Sequence, residues 1–487
     1  MGFSGYVNGQ SNKAGPETIK SDNLSPNIVF IYTDDQAPWA IEGKSPNAVT
    51  PNLNALAEQG MSFPNAYTTT PVCSPSRAGL LTSRYGFEVG IDDWINDHLK
   101  SKTLTGHQLD LGLSAELDSW PKKLQENGYY NGLIGKWHLG KQPEHHPQNF
   151  GYNEFTGFLG GGTSPVDPKL LVNGAAKEET GLTVDILTDY AIDFLSRNRD
   201  RKFALSLHYR APHYPFEPVS ESDLDAISDD VDVIHPDYPD LNSERAKKLL
   251  RGYLASVKGV DRNVGRLLGH LDDLGLSENT VVIFTSDHGY VIGQNGIWHK
   301  GNGFWLLNTP PEGTNNIPKG QRPNLYDAVL KVPLIVRWPG KVPAGTENIS
   351  TVSNLDFFPT IMDIANVDLP EEAGIRGHSV IDALKDENVV TSTDYFAAYS
   401  TLHQSITGMR MYSDGRYKLV RDFKNQGRDE FYHLVDDPHE TQNLLKRELS
   451  HAEKKMLKDL DATLKKKMLE LGDPLSIKFT PVNLKNY

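Results

Sequence analysis

The 487-residue chain contains one cysteine, Cys73, and it opens the run CSPSRAGLLTSR at 73–84. Ser74 has the side chain of a helix N-cap, Pro75 suits a first helical position, and Ala78, Leu80 and Leu81 continue as helix formers. The thiol is therefore predicted at a helix entrance, where unpaired backbone N–H groups and the helix dipole favour negative charge. Arg77, less than a turn further on, adds a planar cation able to grip a tetrahedral oxyanion at two points. The chemistry implied is a nucleophile beside an anion cradle. The plainer alternative for a lone cysteine is a buried, inert thiol.

A second group of residues suits a metal. Asp34 and Asp35 follow the run NIVFIYT at 27–33, and Asp287 and His288 follow VVIFTS at 281–286. Three carboxylates brought to one point repel one another, and a divalent cation resolves that repulsion. Oxygen-rich ligation favours calcium or magnesium, whereas His288 pulls towards zinc or manganese, so the residues alone leave the metal open. In GYYNGLIGKWHLG at 128–140, Lys136 and His138 would share a face of an extended segment and offer a cation and a proton donor. PHYPF supplies His213, and GIWHK supplies Lys300, twelve residues after His288.

The elements that must position these groups alternate between strand and helix. Strands are predicted at 27–33, near 132–135, at 203–209, 281–286 and 332–338. Helices are predicted from Thr50 and Pro51 to Leu56, over 120–127 with Gly128 as its end, from Thr183, and from Ser243 to Leu274. The last carries an apolar series at Leu250, Tyr253, Val257, Val260, Val264, Leu267, Leu271 and Leu274. Its spacing fits a coiled coil, but a long helix packed on a sheet is the better reading. Such alternation implies an α/β fold, a largely parallel sheet between helical layers, with ligands beyond the carboxyl ends of the strands. Asp34, Asp35, Lys136, His138, His213, Asp287 and His288 all lie just after predicted strands and would meet at one rim. Beyond about residue 380, Asp414 and Gly415 signal a hairpin, and a Lys-rich helix over about 450–471 starts near Ser450. The expected division is 1–25 as a linker or processed N-terminal segment, 26–380 as the catalytic domain, and 381–487 as a smaller α+β unit.

The formal net charge is −14, from 49 basic and 63 acidic side chains, which disfavours nucleic acid and any long polyanion at a distance. An anionic substrate would need a local basic pocket. No run of eighteen apolar residues is present, so no membrane span is expected. Arg210 and Trp305 are candidates for a second anionic group and a sugar face, and 86–119, 158–165 and 210–242 for specificity loops.

The pattern C-x-P-S-R-x-x-x-L-T-x-R resembles the signature of the formylglycine-dependent sulfatases of the alkaline phosphatase superfamily, with Ser83 where the family usually has glycine. Residues 128–140 resemble the second sulfatase signature, with Asn131 in place of the usual Ser or Thr. The resemblance implies an alkaline-phosphatase-like sheet and a smaller C-terminal α+β domain carrying an antiparallel sheet. It implies one calcium ion held by Asp34, Asp35, Asp287, His288 and the residue-73 oxygen, and Cys73 oxidised to formylglycine by a formylglycine-generating enzyme. It also implies that the hydrated aldehyde attacks sulfur, stabilised by the metal and Arg77. Lys136, His138, His213 and Lys300 would contact the sulfate and move protons. The substrate implied is a sulfated carbohydrate, uronate-containing or algal, met in the periplasm or outside the cell. Two other functions are compatible: a phosphate or phosphonate monoester hydrolase of the same superfamily, and a silent protein that binds sulfated glycan.

Overall fold

The computed structural model describes residues 1–2, 25–96, 112–234, 238–369 and 374–483. Most of the segment expected as a linker at 1–25, and parts of the candidate specificity loops at 86–119 and 210–242, lie outside the described residues. A ten-stranded sheet runs through the larger part of the chain. Its five central strands, Thr280–Ser286, Asn27–Thr33, Phe203–His208, Tyr130–Lys136 and Glu154–Phe158, are mutually parallel in that spatial order. Leu334–Arg337, which the sequence also predicts as a strand, pairs antiparallel with Thr280–Ser286 and makes the sheet mixed.

The first strand is buried at every position because both faces of the sheet are covered. Ile28, Phe30 and Tyr32 face helices Cys73–Thr82, Trp120–Glu126 and Phe357–Ala365 through Ala78, Leu80, Trp120, Leu124, Phe358 and Ile361. Val29 and Ile31 face the other way, towards helices Pro51–Glu58, Thr183–Asn198 and Ser243–Asp273. The 31-residue helix Ser243–Asp273 packs along the sheet through Val260, Val264, Leu267 and Leu271, as the apolar stripe predicts for a helix on a sheet. Asn242 caps it, its side chain accepting from the Arg245 N–H at 3.1 Å.

Register decides where the loops emerge. Thr33 pairs with Ser286, Tyr32 with His208, and His208 with Gly135, so four strands finish level with one another. Asp34, Lys136, Tyr209 and Asp287 are consequently next to one another at a single rim.

The C-terminal sheet has four antiparallel strands, Tyr395–Tyr399, Met409–Ser413, Tyr417–Asp422 and Glu430–His433. Gly415, at φ +85°, makes the turn expected at Asp414–Gly415 possible. Alternation again separates the faces. Phe396, Tyr412, Leu419 and Phe431 pack under helix His451–Glu470. Tyr395, Tyr399, Met409 and Met411 pack on Val72, Val291, Tyr326 and Leu330 of the larger sheet region. Ser450 caps that helix in a reciprocal arrangement with Glu453.

Helix Cys73–Thr82 differs from expectation at its start. Val72, not Ser74, precedes it, and no side chain caps it. Ser74 Oγ instead accepts from the Ile95 N–H at 2.9 Å. At its end Ser83 adopts a left-handed backbone, φ +55°, where glycine is free of steric cost. The serine is retained by its hydroxyl, which donates to Leu355 O at 2.8 Å and accepts from the Gly377 N–H at 2.9 Å. Ser83→Ala keeps the strained backbone and strands these buried partners, so it is expected to lower stability by about 1–3 kcal/mol. Ser83→Gly relieves the strain and should lose less; urea unfolding of the two variants checks the order.

Candidate functional site

The rim places the expected acids, cations and thiol within direct contact. Cys73 Sγ lies 3.5 Å from Asp34 Oδ1, 3.5 Å from His288 Nε2 and 3.2 Å from Lys300 Nζ. Lys136 Nζ meets Asp34 Oδ2 at 2.5 Å, and Lys300 Nζ meets Asp35 Oδ1 at 2.7 Å. His288 Nε2 is 3.2 Å from Asp35 Oδ1 and 3.5 Å from Asp287 Oδ1. Every one of these side chains is buried.

The backbone at this rim is stitched from several elements. Asp35 sits at φ +72°, its N–H donating to Asp287 Oδ1 at 3.1 Å and its carbonyl accepting from the Tyr253 hydroxyl at 2.8 Å. Ser286 Oγ accepts from the Gln36 N–H at 2.9 Å. Ser76 Oγ donates to the Asp287 carbonyl at 2.5 Å, tying the cysteine helix to the strand end. The tight spacing therefore comes from the long helix, two strands and the cysteine helix together.

Some placements differ from the sequence reading. The Arg77 guanidinium donates to Asp287 Oδ2 from Nε at 3.1 Å and lies 3.0 Å from it through a terminal nitrogen. A second terminal nitrogen donates to Lys136 O at 3.2 Å, and the group lies over the Tyr32 ring. Its fork thus grips a protein carboxylate, because the buried acids demand every nearby cation. Lys136 and His138 do not share a strand face: the strand ends at Lys136, and His138 turns left-handed at φ +61°. Asn131 makes no site contact; its amide ties to Pro121 O and Gly151 O. Arg210 donates to Pro215 O at 2.7 Å; neither it nor Trp305 lines the cavity above Cys73.

That cavity has a volume of about 470 Å³ and is walled by His138, His213, Lys300 and the Gly160–Gly161–Gly162 run expected to allow close approach. A Cβ on Gly161 would stand 2.6 Å from the His138 ring, which accounts for glycine there. Trp94 to Asn96 line the cavity from within the candidate loop 86–119, whereas sequence reasoning missed His299, Asn302, Phe304, Lys141 and Gln404. His299 beside Lys300 was the one signal within reach; Gln404 carries none.

Comparison with known proteins decides the family. The Sulfatase family matches residues 26–367, and the family described as N-sulphoglucosamine sulphohydrolase, C-terminal, matches 321–471. The chain belongs to the sulfatase family. It is a sulfuric ester hydrolase, and in this family a formylglycine nucleophile is typical. An N-acetylglucosamine-6-O-sulfatase of Bacteroides thetaiotaomicron is 25% identical, the alignment covering 92% of this chain and 87% of that protein. An ulvan-active sulfatase of Formosa agariphila is 27% identical over 93% of this chain and 83% of its own length. A solved structure in complex with its substrate D-glucosamine-2-N,6-O-disulfate superposes with a TM-score of 0.72 at 25% identity, covering 92% of this chain and 99% of that one. A putative sulfatase of Bacteroides fragilis superposes at 0.77 with 21% identity, covering 97% and 99%, and shares the fold.

The electrostatics of this sulfatase are those of a cluster short of positive charge. Burial pushes Asp35 up to about 7 against the pull of Lys300 and His288. Burial and Asp34 push Asp287 up as well. Burial also acts on Asp34, but Lys136 holds it well below the usual carboxylate range. Burial depresses His288, yet Asp287 and Asp35 raise it to about 9. Burial and Asp34 raise the Cys73 thiol, and Lys136, Lys300 and the His288 hydrogen bond outweigh them, bringing it to about 5.

The donor set fits a divalent cation. Atoms of Asp34, Asp35, Cys73 and His288 lie within 4.8 Å of one another, and Asp35 Oδ2 is buried with no hydrogen-bond partner. His288 Nδ1 is 3.0 Å from the Gly289 carbonyl, to which it donates, leaving Nε2 as the ligand atom. Asp287 stands just outside this set of four, held by Arg77. Cation binding must displace the protons that Asp35 and His288 carry at neutral pH. Affinity for a divalent cation should therefore rise between about pH 6 and 9, with proton release. Calorimetry of chelator-stripped protein in buffers of different ionisation enthalpy measures this, and Asp35→Asn should abolish most of the heat.

Proposed function

We propose that this sulfatase removes sulfate from an anionic saccharide, a uronate-containing or algal polysaccharide or its oligosaccharides, using formylglycine at position 73 and one calcium ion. The observation that carries the reading is the placement of Cys73 at the floor of the cavity, against Lys300, His288 and Asp34. The cavity's size suits a saccharide unit, and among the described residues its lining offers Lys141, Lys300, three histidines, side-chain amides and the Trp94 and Phe304 rings, with no carboxylate. That lining supports an anionic substrate on a protein whose overall charge is negative. A polymer of that kind does not cross a membrane intact, which supports a periplasmic or secreted enzyme. Among the described residues no helix is long and apolar enough to span a membrane. The formylglycine-generating enzyme is the partner this maturation needs.

Calcium would neutralise the carboxylates here, and formylglycine, as a hydrated aldehyde, would supply the attacking hydroxyl. Lys136 and Lys300 stand where sulfate charge must be met. Burial and Lys136 hold His138 well below the usual histidine range, and its Nε2–H donates to the Ile95 carbonyl at 2.9 Å. Its buried Nδ1 has no hydrogen-bond partner and would be the atom able to accept a proton from a formylglycine hydroxyl at position 73. His213 is also kept neutral, by burial and by the Lys300 and Lys136 charges, against Asp34. Its Nδ1 donates to Tyr214 O at 2.6 Å, so its Nε2 accepts rather than donates. Lys300 lines the cavity with its Nζ 3.2 Å from Cys73 Sγ, and its ammonium, which Asp35 holds in the charged form against burial, would be the proton donor to the departing sugar oxygen.

Three experiments test this. Protein made with a formylglycine-generating enzyme should yield a residue-73 peptide carrying the aldehyde and should release sulfate from sulfated oligosaccharides in a calcium-dependent way. Cys73→Ser should give at most one slow turnover, since a sulfated serine cannot eliminate its product; sustained turnover sinks the mechanism. Lys300→Ala should cost about 10²–10⁴-fold in kcat on oligosaccharides and much less on 4-nitrophenyl sulfate, whose leaving group needs no proton. Equal losses on both would remove Lys300 as the acid.

A further inference from the structure

The cavity wall beside His138 is built by two segments distant in sequence, residues 93–96 and the loop 400–408 that joins the first two strands of the C-terminal sheet. Trp94, Ile95, Asn96 and Gln404 all line the cavity. The buried Asp93 is the joint between them: its carboxylate accepts from the Trp94 N–H at 2.9 Å, the Leu402 N–H at 3.2 Å and the Tyr399 hydroxyl at 3.4 Å. His403 Nε2 lies 2.9 Å from the Trp94 carbonyl, to which it donates, and its ring lies against the Trp94 indole with centroids 4.9 Å apart. On its other side the loop is braced by the larger domain. Gln321 Nε2 donates to Gln404 Oε1 at 3.1 Å, and the Ile406 N–H donates to Asn316 O at 2.7 Å. With its oxygen engaged, Gln404 presents its amide N–H pair as a donor to a ligand.

We propose that the loop 400–408, docked on residues 93–96 through His403 and Asp93, is a specificity element that positions Trp94 and Gln404 against the saccharide carrying the sulfate. The inference rests on the sulfated-saccharide reading above. His403 does not itself line the cavity and is a positioning residue: it holds the Trp94 carbonyl and indole in place. Trp94 supplies an apolar face for a sugar ring and Gln404 a hydrogen bond to a hydroxyl or anionic oxygen, contacts that a small aryl sulfate does not need. Residues 93–96 also meet the catalytic centre, through the Ile95 N–H on Ser74 and the Ile95 carbonyl on His138. The ratio between substrates, rather than either rate alone, therefore reports the wall.

The test compares kcat/KM on a sulfated oligosaccharide with kcat/KM on 4-nitrophenyl sulfate, using full-length enzyme matured with a formylglycine-generating enzyme. His403→Ala should lower the oligosaccharide-to-aryl ratio about tenfold, chiefly through KM. His403→Gln, which keeps a donor for the Trp94 carbonyl, should restore part of it. Gln404→Ala, at an exposed loop position, should lower the ratio in the same direction and serves where His403→Ala does not fold. An unchanged ratio in Gln404→Ala and His403→Ala, or equal losses on both substrates, overturns the inference while leaving the sulfatase reading in place. Matured wild-type enzyme that releases no sulfate from any oligosaccharide overturns both.

Discussion

Charge compensation in a dry site governs this molecule. Asp34, Asp35 and Asp287 are buried side by side at one sheet rim, and two like charges about 4 Å apart repel by roughly 4 kcal/mol even at an effective dielectric near 20. Each acid has its own buried cation: Lys136 on Asp34, Lys300 on Asp35 and Arg77 on Asp287. The compensation is incomplete: Asp35 and His288 are both pushed up from their ordinary values, and an Asp35 oxygen is buried with no partner. Lys136, Lys300 and the His288 hydrogen bond also draw the Cys73 thiol down, against burial and Asp34. A site of this kind is poised for a cation and for a substrate that brings negative charge of its own.

The scaffold makes such crowding tolerable by leaving its charged groups little freedom to move apart. Parallel register brings four strand ends level, and the loops leaving them have nowhere to go but the same rim. Tyr253, from the middle of the 31-residue helix, holds the left-handed Asp35 backbone, and Ser76 holds the Asp287 carbonyl. The cysteine helix is buried over its whole length, so its entrance is fixed by packing rather than by a cap. Ser83 closes that helix in a conformation that suits glycine better, retained by the hydrogen bonds of its hydroxyl.

The C-terminal sheet is part of the site's architecture as well as a neighbour of it. One face buries Tyr399, Met409 and Met411 against Val72 and Val291, residues that flank Cys73 and the Asp287–His288 loop. The other is closed by the helix His451–Glu470. Its first connecting loop then reaches the cavity, so the cavity wall is assembled from both sheet systems.

Much of this was legible in the chain itself. Apolar runs ending in acids, the long amphipathic stripe, the Asp-Gly turn and the Ser450 cap are local patterns, and each became the expected element because hydrophobic periodicity and capping act over a few residues. The candidate site residues were legible because their types and order carry chemistry. Tertiary structure alone decided which partner each group meets. Arg77 turned to Asp287 because a buried carboxylate attracts a cation more strongly than a future ligand does, and Lys136 reached the rim at the end of its strand whereas His138 reached it through a left-handed turn. Gln404, Asp93 and His403 gave no sequence signal, since their roles exist only where a hairpin loop from one sheet packs against a segment some 300 residues earlier, and no local pattern encodes a contact of that range.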